Sequence, residues 1–61
     1  MYSIRVVDVN GTTRAFIGLD FYTREQAMYF VDGIKMTVPD WMFSAFDYYI
    51  LDENNEVVEI V

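Results

Sequence analysis

Thr23-Arg24-Glu25-Gln26-Ala27-Met28-Tyr29-Phe30-Val31-Asp32-Gly33-Ile34 is the stretch whose reading decides the fold, because its apolar residues recur with a helical period while the segments on both sides alternate. Thr23-Arg24-Glu25-Gln26 fits a capping box, in which the threonine hydroxyl accepts the amide three residues on and the Gln26 side chain reaches back to the cap amide. Ala27, Phe30, Val31 and Ile34 follow at i, i+3, i+4 and i+7, one stripe facing a core. Met28, Tyr29, Asp32 and Lys35 point elsewhere. Gly33 offers two endings: it closes the helix in the left-handed conformation, or it lies inside a helix that runs to Met36 at a cost of about 1 kcal/mol. The longer helix is preferred because Ile34 completes the stripe. Pro39 stops either version, and Pro39-Asp40-Trp41-Met42-Phe43 reads as a loop or a single helical turn.

Upstream of the helix, Tyr2, Ile4 and Val6 alternate with Ser3, Arg5, Val7 and Val9, and then the chain meets Asn10-Gly11. That dipeptide tolerates the positive φ of a type I′ turn and is a strong hairpin signal. The returning strand places Ala15, Ile17, Leu19 and Phe21 on one side, with Thr12, Arg14, Phe16, Gly18 and Asp20 on the other. Downstream, Phe46 to Leu51 is aromatic and β-branched, Asp52-Glu53-Asn54-Asn55 supplies turn residues, and Glu56 to Val61 alternates with Val58 and Ile60 on one side. The expectation is an α+β domain spanning residues 1–61 with order ββαββ: a small antiparallel sheet of two hairpins with one helix packed on a face. The last strand ends at the terminus, leaving a sheet edge open to a second copy of the chain, so a homodimer is expected.

Ten acids against four bases give a net charge of -6, while 54% of the residues are apolar and eleven are aromatic. That apolar content excludes disorder. A chain this short hides only about 60% of its unfolded surface, so eleven aromatics exceed what one helix and a small sheet can cover, and some belong at an interface. The longest apolar runs, such as Ala27 to Val31, fall far short of the roughly 18 residues of a membrane span, and no secretory leader is seen. A cytoplasmic protein is expected, in the host cytoplasm if the chain is viral.

The residues absent from the chain limit its chemistry. With no histidine and no cysteine, a nucleophile has no ordinary base beside it and a metal lacks its commonest ligands, so neither an enzyme nor a metal or cofactor site is expected. Asp52, Glu53 and Glu56 cluster at one turn, but the Asp-Glu-Asn-Asn-Glu run has neither the alternating ligands nor the central glycine of a calcium loop and reads as solvated. Gly11, Gly18 and Gly33 stand too far apart to cradle a phosphate. The acid excess opposes direct contact with nucleic acid.

The remaining function is recognition of another protein. Residues 36–61 carry Asp40, Asp47, Asp52, Glu53, Glu56 and Glu59, no lysine or arginine, and the only tryptophan, Trp41. An anionic field of one sign attracts a cationic partner, and aromatics are enriched at interface centres. The candidate partner-binding residues are therefore Asp40, Trp41, Asp47, Tyr49, Asp52, Glu53, Glu56, Glu59 and Tyr29. They describe a small acidic inhibitor that occupies a basic, nucleic-acid-binding surface of a host or defence protein, with carboxylates where phosphates would lie. The composition resembles in style that of small phage-encoded inhibitors, with no motif behind the likeness. The alternative is a homodimeric structural or regulatory interaction module whose acidity keeps it soluble.

Overall fold

In chain order the protein forms β1 (Tyr2–Asp8), β2 (Thr13–Phe21), α1 (Arg24–Thr37), α2 (Asp40–Phe43), β3 (Phe46–Leu51) and β4 (Val57–Ile60). The computed structural model describes the backbone of residues 1–61 and every side chain except that of Leu19, so the face expected for Leu19 lies outside the described residues. The four strands make one antiparallel sheet in the order β2-β1-β3-β4, two hairpins joined where β1 pairs with β3. One face carries α1, and the two layers fill a body of 30 × 24 × 15 Å.

The helix takes the longer of the two lengths open to it, running through Gly33 to Thr37. Thr23 caps its start, accepting the Gln26 amide at 3.1 Å. The reciprocal half of the expected box is displaced by one residue: Gln26 Oε1 accepts the Tyr22 amide at 2.9 Å rather than that of Thr23. At the other end Thr37 Oγ1 donates to the Gly33 carbonyl at 2.6 Å, and the Val38 amide bonds to Ile34 O, so the last turn is satisfied without a glycine cap. Pro39 then sits at the N-cap of α2, and its carbonyl accepts the amides of Met42 and Phe43.

The two hairpin turns share one construction. In the first, Asp8 and Thr12 face each other, the Gly11 amide bonds to Asp8 O, and Asp8 Oδ1 accepts the amides of Asn10 and Thr12 at 2.9 and 3.0 Å. In the second, Asp52 and Glu56 face each other, the Asn55 amide bonds to Asp52 O, and Asp52 Oδ1 accepts the amides of Asn54 and Glu56 at 2.8 and 3.0 Å. Gly11 (φ 80) and Asn55 (φ 61) close the respective loops in the left-handed region. The Asn10-Gly11 turn is thus a three-residue loop with one left-handed residue, not the type I′ turn expected, because the preceding aspartate captures the amides that a two-residue loop leaves outside.

The core lies between sheet and helix. Ile4 and Val6 of β1, Tyr48 and Ile50 of β3, and Ala27 and Val31 of α1 form its buried cluster, with Tyr2, Ile17, Phe21, Ile34, Phe43, Phe46 and Val58 around it. Burying side chains of this size contributes about 1.5–3 kcal/mol each. Phe43 stacks on Tyr48 with centroids 4.7 Å apart, which ties α2 to the sheet, and Phe30 tilts against Phe21 at 5.5 Å.

Val58 and Ile60 do not share a face as expected. The β3–β4 register shifts between Ile50 and Leu51: Val58 packs on the core, whereas Ile60 pairs with Tyr49 and stays exposed. An inserted residue resets the two-residue period of a strand. The terminal strand β4 is an edge of the sheet, as expected, and β2 forms the other edge. Both are interrupted. β2 shifts register against β1 on either side of Ala15–Ile17, and β4 is four residues long with its own shift.

Candidate protein-binding surface

The outer flank of α1 carries an apolar concavity. Gly33 leaves a gap in the helix wall, since apart from its chain neighbours and the helix's own backbone no atom lies within 4 Å of where its Cβ would stand. Tyr29, Phe30, Ile34, Thr37 and Val38 line the resulting groove of ≈ 510 Å³ together with Gly33. Tyr29 in its wall is 76% exposed, and Met36 on α1 and Trp41 on α2 are 88% and 72% exposed. Glu25 and Asp32 flank Tyr29 on the same helix. An exposed aromatic surface with an acidic border suits a partner that is apolar at its centre and cationic at its rim.

The nine predicted contact residues do not form one surface. Tyr29 lies on α1, with Asp40 and Trp41 on α2 beyond the groove's far end. Asp47 and Tyr49 pair with Val7 and Arg5, and by strand alternation they project from the sheet face opposite α1. Asp52, Glu53 and Glu56 sit at the β3–β4 turn, at the end of the sheet remote from α2. Glu59 pairs with Ile50 on the helix side and approaches Arg24 at 3.9 Å. The acids of residues 36–61 therefore spread over both faces and both ends of the sheet, because β3 and β4 alternate sides and the turn between them points away from α2. Two of them are also in use locally: Asp52 holds its own turn, and Glu53 meets the Met1 ammonium at 2.5 Å.

Asp8 is the carboxylate whose protonation the fold alters most clearly. Its amide bond from Thr12 draws its pKa below the ordinary 3.8. Partial burial opposes this, while the Asn10 amide and Arg14, whose Nε lies 2.9 Å from Oδ2, add to it. Tyr48, stacked beneath Phe43, is pushed up from 10.0 by burial. Among the described residues no three acidic side chains gather where a metal ion would be held.

Phe30, Gly33, Ile34, Thr37 and Val38 were not among the residues expected to meet a partner. Phe30 and Ile34 read as core; Ile34 does pack on it, whereas Phe30, 37% exposed, stands outside the buried cluster and leans on Phe21 at its margin, because the small sheet does not reach far enough to cover the whole stripe. The available signal was the glycine beside an apolar stripe. Comparison with protein-family models, with curated proteins and with solved structures finds no match to this chain.

Proposed function

We propose that the chain is a small protein-binding module that acts by occupying a surface of another protein, with the α1 groove and its aromatic border as the contact. The observation that carries this reading is the apolar groove on α1, whose wall includes the strongly exposed Tyr29, on a chain that also leaves Met36 of α1 and Trp41 of α2 strongly exposed. Single exposed apolar residues are ordinary on protein surfaces, whereas a contiguous patch marks an interaction site. The net charge of -6 favours a cationic partner and speeds its approach. Inhibition follows where the occupied surface is the partner's working site. Mimicry of a phosphate row is the weaker form of this reading, given how far apart the carboxylates of residues 36–61 stand.

Affinity capture from the source lysate with the native chain and three variants tests the proposal. Tyr29→Ala and Trp41→Ala should each lose the captured partner while keeping the native circular dichroism spectrum, and Glu56→Lys should retain it. Capture that survives both aromatic substitutions, but fails with Glu56→Lys and elutes steeply with salt, would instead support the carboxylates as the contact.

A further inference from the structure

We propose that the sheet face turned away from α1 docks a second copy of the chain, in a two-fold sandwich that sets Arg5 of each protomer against Asp47 of the other. Arg5 lies opposite Phe16 on one side and Tyr49 on the other, and Tyr49 lies opposite Ile60. Phe16, Arg5, Tyr49 and Ile60 thus form one row across all four strands, on the face that carries no helix. The rows beside it hold Val7 with Asp47, and Leu51 with Val57. Phe16 is 56% and Ile60 66% exposed, with Val57 also open, while Val7 and Leu51 at the centre are buried.

An antiparallel sheet with one wet face alternates apolar with polar residues, and strands apolar on both faces are covered on both. β3, with Phe-Asp-Tyr-Tyr-Ile-Leu, and β4, with Val-Val-Glu-Ile, are of the second kind. The uncovered face therefore calls for another layer. A second copy joining along an edge is disfavoured by the bulges of β2 and the shortness of β4, both of which blunt edge pairing.

The charges on this face choose the occupant. Arg5 and Asp47 stand diagonally across β1 and β3, two residues apart in register, and among the described residues neither belongs to an ion pair. Asp20 lies near Phe16 at the margin of this face, away from Asp47; at its centre the one cation and its diagonal anion are complementary to themselves under a two-fold rotation, so a second copy supplies both missing partners. The added layer also suits a chain too short to bury much of its own apolar surface. The α1 groove lies on the opposite side of the sheet, so this contact goes beyond the function proposed above and the two can fail separately.

Sedimentation velocity over a wide concentration range tests it. The native chain should associate to a dimer. Arg5→Glu and Asp47→Lys should each weaken association by about tenfold or more, and an equimolar mixture of the two variants should restore it, because each then meets the opposite charge on the other. Ile60→Lys, at an exposed site that leaves the core untouched, should also weaken the dimer, with circular dichroism reporting an intact fold. A native chain that stays monomeric at every concentration would overturn the proposal. So would a dimer indifferent to all three substitutions, or a mixture no better associated than its components.

Discussion

Asp8 and Asp52 perform the same task at opposite ends of the sheet: each stands where a strand gives way to its turn, and its Oδ1 accepts the amides two and four residues further on. The segments Asp8-Val9-Asn10-Gly11-Thr12 and Asp52-Glu53-Asn54-Asn55-Glu56 are one turn used twice. They differ at the left-handed position, filled by glycine in the first and asparagine in the second. Left-handed backbone costs an ordinary residue about 1–2 kcal/mol, glycine almost nothing, and asparagine an intermediate amount.

Gly11→Ala should therefore destabilise the chain by about 1 kcal/mol, and Asn55→Gly should stabilise it by about 0.5 kcal/mol. In a domain of this size the first change lowers the melting temperature by about 4–8 °C. Thermal unfolding followed by circular dichroism reads both. Equal and opposite small effects at the two turns would contradict nothing, but a stabilising Gly11→Ala would refute the shared construction.

Acid should weaken the fold partly through Asp8. Because its folded pKa lies below the unfolded value of 3.8, the anion is held more tightly in the native chain. That stabilisation is complete above the unfolded value and drains away as pH falls through the lower folded one. Urea midpoints measured from about pH 6 down to pH 2 should show a flatter acid limb for Asp8→Asn than for the native chain. Parallel limbs would mean that Asp8 does not contribute to the acid response.

The alkaline limb belongs to Tyr48. Its folded pKa is raised by burial, so its contribution is complete below the unfolded value of 10.0 and is lost as pH rises through the folded one. Tyr48→Phe keeps the ring that stacks on Phe43 and removes the titrating group. It should unfold at higher pH than the native chain, with tyrosine absorbance and far-ultraviolet dichroism recorded together.

Gly33 separates stability from binding. Replacement by alanine meets no neighbouring atom and removes a flexible residue from a helix interior, so Gly33→Ala should stabilise the fold by about 0.5–1 kcal/mol. The same methyl group stands in the groove and should weaken capture of the partner. A variant that is more stable and binds equally well would move the contact away from α1.

Val31 is fully buried and Tyr29 is not, although they are two residues apart on one helix. Val31→Ala should cost about 2 kcal/mol, a large share of the stability of so small a chain, whereas Tyr29→Ala should fall within about 0.5 kcal/mol. Denaturant titration of both variants checks the assignment of core and surface.

Local chemistry wrote much of this protein openly. Thr23, the stripe from Ala27 to Ile34, the stop at Pro39 and the turn-forming Asp-x-Asn segments each act over a few residues, so the elements and the ββαββ order follow from the sequence alone. The absence of histidine and cysteine is equally plain there. What only the tertiary structure decided depends on contacts between distant segments. The pairing of β1 with β3 places Arg5 between Phe16 and Tyr49, and a single register shift sends Val58 inward while Ile60 stays out. The same pairing scatters acids that lie close together in the chain, because neighbouring strand residues point to opposite faces and a turn carries its own charges to the far end of the sheet.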